Sequence, residues 1–373
     1  MIYLDYASHT PACEAVLDEF CKTERNFLAN PTSAHRAGLA ARAEFNRNRS
    51  ELAEILGVQP EEVIFTSGAT EANNLAVKGI TQAYRHTGKH ILSTCLEHPS
   101  VSAALTALQD VGYEVDLVSI QNNGMLDLEH MESLLRPDTV LACVCMTDSE
   151  LGAIQPITAI AELIKRYPNC HLHVDAAQAV GKLPFSFDGV DTLSFTPHKF
   201  HGLCGCGVLL KREGVQLQPL IHGGVSTTPY LSGTPALALA AACTKALEIA
   251  VLNQPKRFLA VEEIHRYTIN ELARYPKVRV NSPKGASPYI LNVSVQGVKG
   301  QIFQQKLDEH GVCVSVKSAC SVPGTPSRPV LAISKDKKNA QCSWRISFSH
   351  CTNMETIKLF ISAFDKTYKE LTF

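Results

Sequence analysis

The hexapeptide FTPHKF, from Phe195 to Phe200, ends an apolar, β-rich run with a histidine and a lysine, and the glycine-broken segment HGLCGCGVLL follows it. A lysine at such a strand end is either a solvated terminus or a chemical group. Upstream by 24 residues, HVDAAQ places Asp175 and Gln178 at the end of another strand. A carboxylate there is costly unless something cationic meets it. FTSGATEANN closes a third run and opens a helical pattern with Ser67, Gly68, Ala69 and Thr70. The backbone N–H groups of these small residues can hold a phosphate at a helix N-terminus, or the segment is an ordinary cap. LEHPS puts His98 at a fourth strand end, where taken alone it reads as a satisfied structural histidine.

The elements that must position these residues alternate along the chain. β-rich runs (EVIFTSG, HILSTCLEH, EVDLVSI, TVLACVCM, HLHVDAAQ, TLSFTPHKF, CGVLLKR) are separated by helix-patterned stretches such as EANNLAVKGITQAYR and ITAIAELIKRY, which predicts a largely parallel sheet with helices on both faces. In such sheets ligands gather at the carboxyl ends of the strands, where the residues above lie. From about Pro255 the pattern changes to a long amphipathic helix, KRFLAVEEIHRYTINELARY. Short strands (YILNVSV, VCVSV, WRISFS) and a last helix follow, a smaller α+β unit. HGGVSTTPYLSGTP and SVPGTPSRP are rich in turn formers and read as loops.

Composition narrows the function classes. With 35 basic against 36 acidic side chains there is no nucleic-acid footprint, and 45% hydrophobic residues exclude disorder. Asp5 interrupts the N-terminus and no apolar run approaches ~20 residues without a breaker or charge, so neither a signal peptide nor a membrane span is expected. Thirteen cysteines, an odd number scattered through core-like strands, read mostly as reduced, buried thiols in a cytoplasmic protein. Cys204 and Cys206 of CGCG are two ligands without a second pair, a poor zinc case, and no metal site is expected.

A lysine, a buried carboxylate, a phosphate cup and a ring-stacking group together suit one cofactor, pyridoxal 5′-phosphate, which needs a Schiff-base lysine and a counter-ion for its ring nitrogen. The order of these elements, with IYLDYASHTP, NPTSAHRAG, FTSGATEANN, HVDAAQAVGKLP, HKFHGLCGCGVLL, HGG, SGTPA, SAC and WRISFS, resembles the class V aminotransferase branch of fold-type I enzymes. Within it the chain is similar to NifS-like cysteine desulfurases, essentially end to end.

The resemblance implies a large cofactor-binding α/β domain over residues 14–254 with a seven-stranded, mostly parallel sheet. Residues 1–13 and 255–373 would form a smaller α+β domain. Lys199 would hold the cofactor through a Schiff base and shuttle the substrate Cα proton. Asp175 would pair with the ring nitrogen, Gln178 would bond the ring hydroxyl with Ser149 nearby, and His98 would stack on the ring. Ala69, Thr70, Thr196 and His198 would bind phosphate, joined by Thr234 from the second subunit of a homodimer with shared sites. Arg345 would clamp the carboxylate of the substrate, L-cysteine, a bidentate role suited to guanidinium.

Cys320 lies in SAC, 25 residues before Arg345, and matches the family's persulfide-forming cysteine. It follows a β-rich run and opens a Pro/Gly-rich loop, where a thiol is available to react. The implied products are L-alanine and a Cys320 persulfide for a sulfur-acceptor protein, such as an iron–sulfur scaffold or a thiolation enzyme, with no direct nucleic-acid or membrane partner. Several positions depart from the family. DSELG replaces NNEIG, so Ser149 stands for an asparagine. Residues 225–231 lack the usual charges, Lys317 sits beside the cysteine motif, and Pro323, Pro326 and Pro329 stiffen its loop. Two alternatives therefore stay open: another reaction of the same cofactor (a cysteine or selenocysteine lyase, or a specialised aminotransferase-like enzyme), and a non-catalytic sulfur-relay homologue.

Overall fold

A computed structural model describes residues 1–224, 226–317 and 325–372. Its strands are β1 (Ile2–Tyr3), β2 (Val63–Thr66), β3 (His90–Thr94), β4 (Glu114–Val118), β5 (Thr139–Cys145), β6 (His171–Asp175), β7 (Thr192–Phe195), β8 (Gly207–Lys211), β9 (Val278–Val280), β10 (Ile290–Val295), β11 (Val312–Cys313) and β12 (Ser343–Ser347). The helices are α1 (Glu14–Asn26), α2 (Arg36–Leu56), α3 (Ala69–Ala83), α4 (Pro99–Gln109), α5 (Leu128–Leu134), α6 (Ile157–Ile164), α7 (Leu237–Leu272), α8 (Gly300–Glu309), α9 (Arg328–Ser334), α10 (Lys337–Cys342) and α11 (Met354–Thr372).

Among the described residues, β2 to β8 form a seven-stranded sheet in the order β2-β8-β7-β6-β5-β3-β4. The expected mostly parallel α/β sheet is present. Only β8 runs against its neighbours β2 and β7. Every residue of TVLACVC in β5 is buried, as required of a central strand with helices on both faces. By contrast β4 is an edge strand with Leu117 exposed. The register aligns Cys145 with Asp175 and Asp175 with Ser194, so the ends of these three neighbouring strands lie at one level, to within a residue, at the sheet's carboxyl edge.

A second core gathers around the antiparallel sheet β12-β10-β9 and α11, with Trp344, Phe303 and Phe364 at its centre. The chain's first residues belong to this core: β1 pairs in parallel with β11, and Leu4 is fully buried in it. The helix expected from Lys256 is the second half of α7, which runs unbroken through Pro255. The reason is packing on both sides of the proline. Ala242, Ala246 and Ala250 sit in the core beneath the large sheet, while Val261, Ile264 and Leu272 sit in the second core. By length and composition α7 is apolar enough to cross a membrane, yet 56% of its most apolar window is buried in the protein.

Candidate active site

At the carboxyl edge of the large sheet lies a cleft of about 410 Å³. Its wall includes Ala7, Ser8, Ser67, Gly68, Ala69, Thr70, His98, Ser149, Asp175, Gln178, Thr196, His198, Lys199, Cys204 and Arg345.

Asp175 ends β6 and is 6% exposed. One oxygen accepts from Asn73 Nδ2 at 2.9 Å and the other from the Ala177 amide at 3.0 Å. No ion pair to Asp175 occurs among the described residues. Asn73, from α3, anchors a buried layer beneath it. Its Nδ2 also reaches Ser100 Oγ at 2.8 Å, and its Oδ1 accepts from the Ser194 hydroxyl and lies 3.0 Å from His173 Nε2. Burial pushes His173 down to about 4. The imidazole is neutral at pH 7 and leaves Asp175 without a protonated neighbour in that layer.

Lys199 closes the short 3-10 turn Pro197–Lys199 that follows β7. Its Nζ donates to the Ala7 carbonyl at 2.8 Å and the Ser8 carbonyl at 2.7 Å. The N-terminal segment thus holds the lysine head in the cleft through backbone oxygens. Gln178 joins the same segment, donating from Nε2 to Ala7 O at 2.8 Å and accepting from Lys182 Nζ at 2.9 Å. Lys182 is buried, and burial, with the charges of Lys199 and Arg345, pushes it down to about 7.

The opposite end of the cleft is the start of α3. Its first turn is packed by Gly207 of β8, where a Cβ would stand 2.4 Å from the Gly68 carbonyl carbon. Only glycine allows β8 this close. Ala69 and Thr70 begin the helix, so their N–H groups have no intrahelical acceptor and point the positive end of the dipole outward. Thr196 Oγ1 donates to Cys206 O at 2.8 Å and lies 2.9 Å from His198 Nδ1. Burial pushes His198 down to about 4, helped by the charges of Lys199 and His9. His98 caps α4, its Nδ1 accepting from the Ser100 amide at 3.2 Å, with Pro99 at the first helical position. Burial lowers its pKa, opposed by Asp175 and aided by Lys199.

Arg345 comes from β12 of the second core and is 1% exposed. Its Nη2 donates to Asp5 Oδ1 and Ser8 Oγ, both at 2.8 Å, and its Nη1 to the Ser149 carbonyl at 2.7 Å. Its Nε is buried and without an acceptor among the described residues. Ser149 therefore meets Arg345 through its backbone.

Thr234, expected to serve the second subunit's cleft rather than this one, is exposed and is not part of this wall. Cys320 and Pro323 lie outside the described residues, but their flanks do not. Lys317 Nζ donates to Thr325 O at 2.9 Å and Thr325 Oγ1 at 2.8 Å. Both residues line a second cleft, of about 520 Å³, that shares Leu96, His98 and Ser149 with the first.

Asn73, Asp5, Ser8 and Ser194 complete the site, and the sequence reading missed them. The tandem Asn73–Asn74 on an otherwise apolar helix face was the available signal, since a buried amide needs partners. Two buried carboxyls near the mouth were also missed. Glu97 accepts from Thr94 Oγ1 at 2.8 Å and the Cys145 amide at 3.0 Å, but its Oε2 has no partner among the described residues. Burial pushes Glu97 up to about 8, with the charges of Asp175 and Asp148 adding to it. Burial and Glu150 likewise push Asp148 up to about 7.

The family model described as Aminotransferase class-V matches residues 2–360. A relative named NifS/IcsS protein homolog, from Lactobacillus delbrueckii subsp. bulgaricus, is 34% identical, spanning 100% of this chain and 98% of its own. Another, named cysteine desulfurase IscS, from Dictyoglomus turgidum, is 33% identical over 99% of this chain and 95% of its own. Among solved structures, a NifS-like protein superposes with a TM-score of 0.93 at 30% identity, covering 99% of this chain and 100% of that one. A structure described as SspA in complex with cysteine superposes with a TM-score of 0.82 at 29% identity, covering 93% and 99%.

Proposed function

Because the chain belongs to the class-V aminotransferase family, we propose that it is a pyridoxal 5′-phosphate-dependent cysteine desulfurase of fold type I. It converts L-cysteine to L-alanine and leaves the sulfur as a persulfide on Cys320. The observation that carries this reading is Asp175, a carboxylate buried among neutral partners in the wall of the cleft that Lys199 enters. Such a group calls for a cation, and the protonated ring nitrogen of the cofactor is one. The residues present therefore fit the group.

Lys199 would hold it, with Asp175 at the ring nitrogen, His98 on the ring face and Gln178 and Ser149 near the ring hydroxyl. The helix start at Ala69 and Thr70, with Thr196 and His198, would hold its phosphate. When bound, the cofactor supplies an electron sink for the pair left at the substrate Cα. Lys199 takes and returns the Cα proton, and the Ala7 and Ser8 carbonyls keep its nitrogen aimed into the cleft. Arg345 binds the substrate carboxylate. The Cys320 thiolate attacks the substrate sulfur as the Cβ–S bond breaks, and the bonding pair of that bond stays with carbon. Lys317 and Thr325, which flank the cysteine motif in sequence, line the second cleft beside His98 and Ser149.

We place the enzyme in the cytoplasm as a homodimer, with Thr234 completing the partner's phosphate site and an iron–sulfur scaffold or thiolation enzyme as sulfur acceptor. Its large domain spans residues 14–254, and its small domain residues 1–13 with 255–373. Light scattering reading one chain mass on an active sample would contradict the dimer.

The test of function is product analysis. Cysteine is expected to yield alanine without pyruvate and to add one sulfur to the intact mass, removable by reductant. Cys320→Ser is expected to bind cysteine and release no alanine. Pyruvate and sulfide from Cys320→Ser would instead identify a β-elimination lyase, which needs only the cofactor and a base.

A further inference from the structure

Two residues beyond Lys199, His201 adopts a left-handed backbone conformation with φ 72°, uncommon for a residue other than glycine. Three bonds hold it there. Its N–H donates to Thr10 Oγ1 at 2.7 Å, its carbonyl accepts from the Cys13 amide at 3.0 Å, and its ring Nδ1 lies 3.0 Å from the Pro11 carbonyl. A carbonyl only accepts, so Nδ1 carries the proton and Nε2 presents a bare lone pair. An imidazole oriented by Nδ1–H on a backbone carbonyl is the arrangement that prepares Nε2 for a metal.

That nitrogen faces the end of β12. Ser349 Oγ is 2.9 Å from it, the His350 ring meets the His201 ring edge-on with centroids 4.5 Å apart, and His350 Nε2 is 3.7 Å from Cys351 Sγ. The ligand atoms of His201, His350 and Cys351 all lie within 4.8 Å of one another. With metal–sulfur and metal–nitrogen bonds of ~2.3 and ~2.0 Å, a tetrahedral sulfur–nitrogen edge is about 3.6 Å, so the His350–Cys351 separation already has that length. His350 and Cys351 are exposed, whereas His201 is buried and held by the bonds above.

We propose that His201, His350 and Cys351 form a three-ligand site for a single zinc-class ion, with its fourth position open to solvent. Two imidazoles and a thiolate, without a carboxylate, select a borderline or soft transition metal over calcium or magnesium. On binding, the Cys351 thiol gives its proton to solvent, and the Ser349 contact to His201 Nε2 gives way to the metal. Arg257 lines the same small cavity as His201 and His350 and disfavours added positive charge. The thiolate is therefore the ligand the site needs most. The ion would tie the segment after β12, the strand bearing Arg345, to the turn bearing Lys199.

The experiment uses reduced, chelator-treated and dialysed holoenzyme titrated with Co²⁺, then Zn²⁺. One equivalent of Co²⁺ is expected to give a near-ultraviolet thiolate-to-metal band that Zn²⁺ displaces. Cys351→Ser and His350→Ala are expected to lose the band and weaken Zn²⁺ binding at least ~10-fold, the lower end of the effect of removing even an outer partner. Both positions are exposed, so unchanged circular dichroism separates lost ligation from misfolding. The control Cys320→Ser is expected to keep the band. Persistence of the band in Cys351→Ser, its loss in Cys320→Ser, or the absence of a saturable equivalent would each overturn the site.

Discussion

Asp5 and Arg345, 340 positions apart in the chain, meet at 2.8 Å, and the Arg345 side chain is almost fully buried where they do. The same guanidinium spans Ser8 Oγ and the Ser149 carbonyl and keeps Nε without an acceptor among the described residues. An ammonium cannot reproduce that planar fork. Arg345→Lys is expected to raise KM for cysteine and cut kcat/KM by roughly 10- to 100-fold, the loss of one charged hydrogen bond of about 1.5–3 kcal/mol. The cofactor's visible absorbance should remain. An unchanged KM in steady-state assays would show that the arginine serves Asp5 alone.

Lys199 and Lys182 separate two roles of a lysine near one cleft. Lys199→Ala is expected to abolish the visible band and any borohydride-reducible adduct. Lys182→Ala is expected to keep both, because Lys182 Nζ is spent on Gln178. A reducible adduct surviving in Lys199→Ala would move the cofactor to another lysine.

Asp175→Asn should leave a folded protein, since its amide oxygen still accepts from one of the two donors, Asn73 or the Ala177 amide. Its amide cannot stabilise a protonated ring nitrogen. Turnover is expected to fall at least ~100-fold, the equivalent of about 2.7 kcal/mol in the barrier, with weaker cofactor retention on dialysis. Activity within a few-fold of wild type would make the carboxylate structural.

Glu97 gives a stability signature in pH. Its carboxyl, pushed up to about 8 chiefly by burial, keeps a proton in the folded protein that the unfolded chain gives up near 4.5. Between these values the unfolded state binds fewer protons, so this group's contribution to stability is full below about 4.5 and is lost as pH rises through about 8. The slope is on the order of 1.4 kcal/mol per pH unit within that window. Glu97→Gln, which resembles the protonated acid, should match wild type near pH 5 and exceed it near pH 8 in urea unfolding. Parallel curves would show that Glu97 ionises normally.

The parts of the fold set by local pattern were legible in advance. TVLACVC, HLHVD and TLSF announce buried strands, and FTSGAT, HVDAAQ and FTPHKF put their polar residues where those strands end. What sequence spacing could not supply was pairing across the chain. Nothing near Asp175 in sequence points to Asn73, 102 positions away, and nothing near Arg345 points to Asp5. His201 and the His350–Cys351 pair were equally hidden, because only the contact of the segment after β12 with the chain following the turn after β7 makes them neighbours. Pro255 misled for a physical reason: apolar contacts on both sides of the proline hold α7 continuous where propensity alone would end it.

The N-terminal segment also sets a timetable. Strands β2 to β8 have all been synthesised once residue 211 has been made, but Asp5 must wait for Arg345 and β1 for β11. At about 5–20 residues per second, the 340 positions between Asp5 and Arg345 take on the order of tens of seconds to translate. Leu4, destined for full burial in the second core, cannot meet the Cys313 carbonyl that accepts from its amide until most of that interval has passed. The nascent chain can carry a finished sheet while its reactive cleft is still open on one side, so capture of the cofactor in its working geometry is an event of the completed polypeptide.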